Sequence, residues 1–284
     1  MSFLSTAVQN VLEQGQFCHV ATSSPNGPHC TPLVFAYSGG RLWLTTSRRS
    51  VKTRQWKVDP SVAGLVRRGG LAVTFTGTTK LYDALDRSTW GSAVAGATSI
   101  GRATAGFSKK NARFFAGYAL DAKQVPFAWT PPGRVFAELR LERTAILESG
   151  RVASAWGDWG DTVEGVERFR AARAGQSPLA GVPERIRDGL GESGEGALAL
   201  AEAGPEGPAA LTVDHASEWR ARDMVGAMVQ GTASLYVLDE LGSGAKTARS
   251  LATGIDPDAG ALVRFAPSRL VWWHGWSSGS ASVG

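Results

Sequence analysis

Cysteine, methionine and histidine are scarce in this chain, at two, three and four residues among 284. Cys18 and Cys30 cannot build a disulfide framework. They lie on Phe17–Phe35, which folds back at a Pro-Asn-Gly-Pro turn without setting the two directly opposite each other, so they read as reduced, buried thiols. His19, His29, His215 and His274 show no ligand-like spacing with one another or with the cysteines, and no metal site is expected. No apolar run approaches the ~18 residues of a transmembrane helix. Met1–Thr6 also lacks the basic and apolar regions of a signal peptide, so the expectation is a cytoplasmic protein with no membrane partner. Missing as well are a Gly-x-Gly-x-x-Gly helix opening, a nucleotide-hydrolase phosphate loop and a Gly-x-Ser-x-Gly elbow.

Charge is present but nearly balanced: 30 Lys and Arg against 25 Asp and Glu, a formal net charge of +5. The basic residues are scattered apart from Arg48, Arg49, Lys52, Arg54 and Lys57. That pattern favours an acidic small ligand over nucleic acid, which needs a longer basic stripe.

Apolar spacing over residues 2–14, with Gly15 as a stop, predicts a short helix. From Phe17 the period changes. Phe17–Thr22, Thr31–Tyr37, Arg41–Thr46, Ala63–Val66 and Leu71–Leu81 read as a meander of strands, separated by turns such as Asn26-Gly27 and Gly39-Gly40. Ser50–Lys57, free of Pro and Gly and ending at Asp59-Pro60, predicts a helix between two strands. Ser108–Ala122 has helical spacing, and Val135–Leu147 returns to strand, which completes a first unit at 1–150. A connecting region, 151–190, is expected to carry short helices at Val166–Ala174 and Pro183–Leu190. A second strand-rich unit follows at 191–284.

The second unit echoes the first in order. The turn at Val20–Pro28 matches Leu200–Pro208, Phe75–Tyr82 resembles Val229–Tyr236, and Arg134–Ala137 resembles Leu262–Ala266, which suggests an internal duplication. The second copy is shorter by about one hairpin and the basic helix.

The candidate chemistry centres on Thr45–Arg54, which leaves a strand, presents several hydroxyls and cations, and enters a short helix. Such a junction suits phosphate, because free backbone N–H groups converge there while Lys and Arg add charge-assisted hydrogen bonds. The aromatic run Leu270–Trp276 would place Trp272 and His274 on one face of a strand and Trp273 on the other, a pattern commoner in core packing than in a ligand wall. His29, His215 and His274 have no identifiable partners. Carboxylates such as Asp239-Glu240 read as solvated, and no catalytic residue can be named.

A Pro-turned hairpin, the strand Leu42–Thr46, then Ser50-Val51-Lys52-Thr53-Arg54 and Val58-Asp59-Pro60-Ser61-Val62 together resemble the pyridoxamine 5′-phosphate oxidase-like split-barrel superfamily. Lys-Thr-Arg followed by Asp-Pro looks most like its actinobacterial branch that uses the deazaflavin coenzyme F(420). Gln55-Trp56-Lys57 departs from the Asn-Leu-Arg-type run that often follows there. The resemblance covers residues 17–147 well.

It implies a mainly β (α+β) fold, a split β-barrel, two in tandem, with short peripheral helices. It further implies that Ser47, Arg48, Lys52 and Arg54 hold a cofactor phosphate, with Thr46 also in the cofactor site, that Thr31, Pro32, Leu33 and Val34 flank the ring, and that Phe35 closes the pocket. The implied cofactor is coenzyme F(420) or FMN, with haem a lesser alternative. The second copy would act as the partner barrel of an intrachain pseudo-dimer, with a homodimer also open. The expected function is an oxidoreductase passing hydride or electrons between that cofactor and a small organic substrate. The competing expectations are a binder of flavin, deazaflavin or haem that does not turn over, and a structural pseudo-dimer whose site has decayed.

Overall fold

The computed structural model describes residues 4–91, 97–120, 123, 133–148, 151–159, 183–184, 196–200, 206–215, 224–237, 261–275 and 277–283. Helix α1 (Thr6–Gln14) starts at Ser5, whose Oγ accepts the Val8 N–H at 3.3 Å, and buries Val8, Val11 and Leu12. It ends at Gly15, where any Cβ would overlap the side chain of Val66.

Six strands follow: β1 (Phe17–Thr22), β2 (His29–Ser38), β3 (Arg41–Ser47), β4 (Ser61–Arg68), β5 (Leu71–Tyr82) and β6 (Arg134–Glu148). They run in the order β3-β2-β1-β4-β5-β6, and β3 also pairs with β6 from Arg41↔Arg140 to Ser47↔Arg134. The ladder is therefore closed, and the fold is a mainly β, six-stranded split barrel with short peripheral helices. Val20, Phe35, Leu42, Leu44, Phe75 and Leu139 belong to its buried core. The turns use the glycines that the sequence indicated, with φ of 89° at Gly27 and 75° at Gly40.

Helix α2 (Val51–Trp56) joins β3 to β4. Between β5 and β6 stand α3 (Ala97–Lys110) and α4 (Ala112–Leu120), so the helix expected over Ser108–Ala122 begins later and is preceded by a longer, unanticipated one. The Thr, Ser and Gly of α3 are weak helix formers. Tertiary packing compensates, since Ala103 and Phe107 are buried against the barrel. Asn111, between the helices, donates from Nδ2 to Phe35 O at 3.2 Å and to Phe107 O at 3.0 Å.

Arg151–Trp156, read from sequence as part of a connector, is strand β7 on the edge of β6. Nearly all of it is exposed, so no alternation in polarity marks it. The helix expected at Val166–Ala174, and nearly all of the one at Pro183–Leu190, lie outside the described residues.

The rest forms a separate antiparallel sheet of β8 (Gly196–Leu200), β9 (Glu206–His215), β10 (Val225–Val237), β11 (Ala261–His274) and β12 (Ser277–Ser282), in that order. Among the described residues it is open, with no strand closing it. Both sheets contain a meander with a bulge in the central pair. The register of β5 and β6 slips between Thr76 and Gly77, and that of β10 and β11 between Gln230 and Gly231. Gly77 faces Val62, as Gly231 faces Ala209, and Ala63 faces Ala21 as Ala210 faces Ala199. By register, then, β9 stands where β4 stands in the barrel, although its turn sequence echoes the one before β2. What separates Ala21 from Ala63, the β2–β3 hairpin and α2, has no counterpart between Ala199 and Ala210.

The second sheet lies against β1 and β2. Ala21 and Cys30 share a buried cluster with Ala197, Ala210 and Met228. Thr212 Oγ1 donates to Cys30 O at 2.7 Å, and Gln230 Nε2 donates to Pro28 O at 2.8 Å. His19 Nε2 is hydrogen-bonded to Asp214 Oδ2, with both side chains buried. Trp272 packs with Val225, Ala227 and Leu270 on one face of this sheet, and Trp273 joins the Cys30 and Met228 cluster on the other. Trp276 lies outside the described residues. No helix among the described residues is long and apolar enough to cross a membrane.

Candidate anion and cofactor site

The turn from β3 into α2 is built by its own hydroxyls. Ser50 caps the helix, its Oγ accepting the Thr53 N–H at 3.1 Å, while Thr53 Oγ1 donates to Ser47 O at 2.8 Å. Thr46 Oγ1 donates to Ser50 Oγ at 3.2 Å, and Ser47 Oγ accepts the Arg49 N–H at 3.3 Å. These groups hold the turn in shape and so leave less for a ligand than the sequence pattern suggested.

Lys52 is different. It is 2% exposed, although helix α2 is short and peripheral. Its Nζ donates to Thr31 Oγ1 and, at 3.3 Å, to His29 Nδ1. Burial lowers the ammonium pKa to about 8, and only the weak fields of the buried Cys30 and Cys18 thiols act the other way. Burial, reinforced by Lys52, also drives the His29 pKa down to about 3, so its ring is neutral and Nδ1 is an acceptor. Arg269 of β11 adds further positive field at His29. Among the described residues no carboxylate contributes to the environment of Lys52, a buried cation that lacks a counter-charge there.

The other residues singled out from sequence separate in space. Arg48 forms an ion pair with Asp83, while its backbone N–H donates to Gly133 O at 2.9 Å. Arg54 is exposed on α2. Thr31 meets Lys52, and Leu33 packs on the barrel core with Phe35. Val34 lies in a cluster with Phe107 and Phe114 beneath α3 and α4, and Pro32 is buried. Thr31, Pro32, Leu33 and Val34 thus alternate across the strand and do not line one groove together.

The profile of the pyridoxamine 5′-phosphate oxidase family matches residues 4–127, a span that runs from α1 through the β2–β3 hairpin and α2 to beyond β5. Over that span the amino-terminal barrel is similar to the pyridoxamine 5′-phosphate oxidase-like split barrels. Solved structures are similar at low identity. A FAD-binding protein from Mesorhizobium loti is 18% identical, with 50% of this chain and 94% of that one covered at a TM-score of 0.36. An FMN-binding protein from Nostoc punctiforme, related to pyridoxamine 5′-phosphate oxidase, is 18% identical over 52% of this chain and 85% of its own, at a TM-score of 0.37. An F(420) reductase is 18% identical over 50% of this chain and 98% of its own, at a TM-score of 0.34. No curated protein matches the sequence.

Sequence reasoning found Lys52 in this split barrel but missed two buried acids. Asp214 is paired with His19 and Asp83 with Arg48, and each partner lies far away along the chain. No local signal marks such pairs. Trp56, by contrast, sits in the core at 4% exposure, the common fate of a helix Trp facing a barrel.

Proposed function

We propose that this chain binds a phosphorylated flavin-type cofactor, FMN or coenzyme F(420), with the phosphate at Lys52, and serves as an oxidoreductase toward a small organic substrate. The observation that carries the reading is the buried Lys52 ammonium, beside which the described residues place no carboxylate. A phosphate oxygen there would accept from Nζ and offset its desolvation cost. Thr31 Oγ1 and the neutral His29 ring orient that ammonium, and Arg269 adds charge from the second unit. Flavin-type cofactors supply the hydride or electron transfer themselves, which leaves the protein to bind, orient and exclude water.

In the same reading the second sheet takes the position of a partner barrel. Its seat on β1 and β2, through His19–Asp214 and Gln230–Pro28, supports an intrachain pseudo-dimer with one site per chain. The β2–β3 hairpin and α2, which carry Lys52, have no counterpart in it.

Titration of the full chain with FMN and with coenzyme F(420), followed by absorbance and fluorescence, tests this. Saturation at one cofactor per chain is expected. Lys52→Met should weaken binding by about ten- to a hundredfold, as loss of a charged hydrogen bond does. Adding Arg54→Ala should cost less, because Arg54 is exposed. Binding of neither cofactor, or unchanged affinity in Lys52→Met, would sink the proposal. A bound cofactor that no acceptor reoxidises would leave a binder without turnover.

A further inference from the structure

A pocket of about 330 Å³ opens on the outer face of the barrel, between the β2–β3 turn, strands β5 and β6 and the first turns of α3. Its size lies at the lower end of the range of small-molecule sites. Leu42, Leu81 and Leu139 turn inward to the core, so Arg41, Lys80 and Glu138 project from the other face of the same strands. Neither Lys52 nor its partners Thr31 and His29 line this pocket.

Its charges do not cancel. Among the described residues Arg41, Lys80 and Arg102 line it, against the single carboxylate of Glu138. Glu138 lies directly across the ladder from Lys80, yet it is engaged elsewhere. Its Oε1 accepts from Arg41 Nε at 2.7 Å, and its Oε2 accepts the Tyr82 O–H. Lys80 Nζ stands instead over the Tyr82 ring, 5.5 Å from its centroid. Arg102 reaches the pocket from α3. Like Lys80 it is exposed, and among the described residues neither forms an ion pair. Two cations are thus brought together from β5 and α3 while the nearest carboxylate is already spent, and both are open to an anion that enters from solvent.

We infer that this pocket binds a small phosphate monoester, with Lys80 and Arg102 holding its terminal oxygens. A monoester is close to dianionic at neutral pH, which matches the excess of positive charge, and its three terminal oxygens are strong acceptors for ammonium and guanidinium donors. Ser38 and Ser99, on the walls, offer hydroxyls to the esterified body. The inference does not depend on the cofactor at Lys52, and it assigns a second anion site on a different face of the barrel.

The test is calorimetric titration of the full chain carrying Lys52→Met, which removes the other proposed anion site, with methyl phosphate and with dimethyl phosphate, a monoanion built on the same group. Methyl phosphate is expected to bind at least about tenfold more tightly than the diester, and less tightly as salt is raised. Lys80→Gln together with Arg102→Gln should weaken it by about tenfold or more. Both side chains are exposed, so the urea midpoint measured alongside should hold. The same double change in the otherwise unaltered chain should remove one equivalent of bound methyl phosphate. Arg151→Gln, which takes an exposed cation from β7 outside the pocket, should leave binding as it was. Equal affinity for the two esters, no binding of methyl phosphate in the Lys52→Met chain, or a loss on Arg151→Gln as large as on the double change would overturn the assignment.

Discussion

The two halves of this molecule share a five-strand antiparallel order and a bulge at a glycine, yet among the described residues only the first closes into a barrel. The difference is the β2–β3 hairpin and α2. Strand β3 pairs with β2 on one side and β6 on the other, and without such a strand the second meander cannot meet itself. Closure also creates a barrel end that can bury a lysine. An open sheet must instead find a surface to cover it, and this one uses β1 and β2. That hairpin and helix therefore separate a closed unit from an open one.

The largest test of this comparison lies at the bulges. A Cβ at Gly77 would overlap Arg140 O, and one at Gly231 would overlap Ala266 O, both main-chain atoms that no side-chain rotation can move. Gly77→Val is expected to cost about 3 kcal/mol or more in urea denaturation. Gly231→Val should cost less, about 2 kcal/mol, because an open sheet can splay and a closed ladder cannot. Equal costs would mean that closure does not stiffen the barrel at this point.

Next is the seam. Asp214→Ala leaves His19, whose Nδ1 already lacks a partner, with neither ring nitrogen satisfied in a buried site. A loss of about 2–3 kcal/mol is expected. Denaturation followed by tryptophan fluorescence should then resolve into two transitions, with the second sheet unfolding first. A single unshifted transition would show that the halves do not depend on this pair.

Lys52→Met sharpens the comparison at the cation and acts in the opposite direction. The folded pKa, about 8, lies below the ordinary value of 10.5, so between those limits the unfolded chain binds more protons and stability rises with pH. The methionine removes that dependence. It should stabilise the ligand-free chain by about 2 kcal/mol below pH 8, with the gap closing toward pH 10.5. Stability profiles that run parallel across this range would mean that Lys52 is not a desolvated cation.

The smallest effect expected is at Arg269, half-exposed on the second sheet. Arg269→Ala should weaken phosphate binding by about threefold, more at low salt than at high. No change would confine the anion site to the barrel.

Much of the barrel was legible because its signals are short. Short runs of apolar, aromatic and Thr residues in Phe17–Thr22 and Arg41–Thr46, and glycines at Gly27 and Gly40, act over a few residues and survive into the fold. Strand β7 escaped because it is an exposed edge without alternation, and α3 because packing overrides its weak propensity. At the site, Lys52 was visible as a cation after a strand. Arg48 was equally visible, but in the fold it is engaged by Asp83. Of the hydroxyls that looked like ligand donors, Thr46 donates to Ser50 and Ser47 accepts the Arg49 N–H.

Sequence alone therefore determined the six barrel strands, their turns and the presence of a basic strand-to-helix junction, since each is encoded by neighbours along the chain. Tertiary structure decided which cation lies buried without a counter-charge, which one is neutralised, and that the second meander covers the first. Desolvation and pairing depend on groups far apart in sequence, as His19 and Asp214 or Arg48 and Asp83 are, and only folding brings those together.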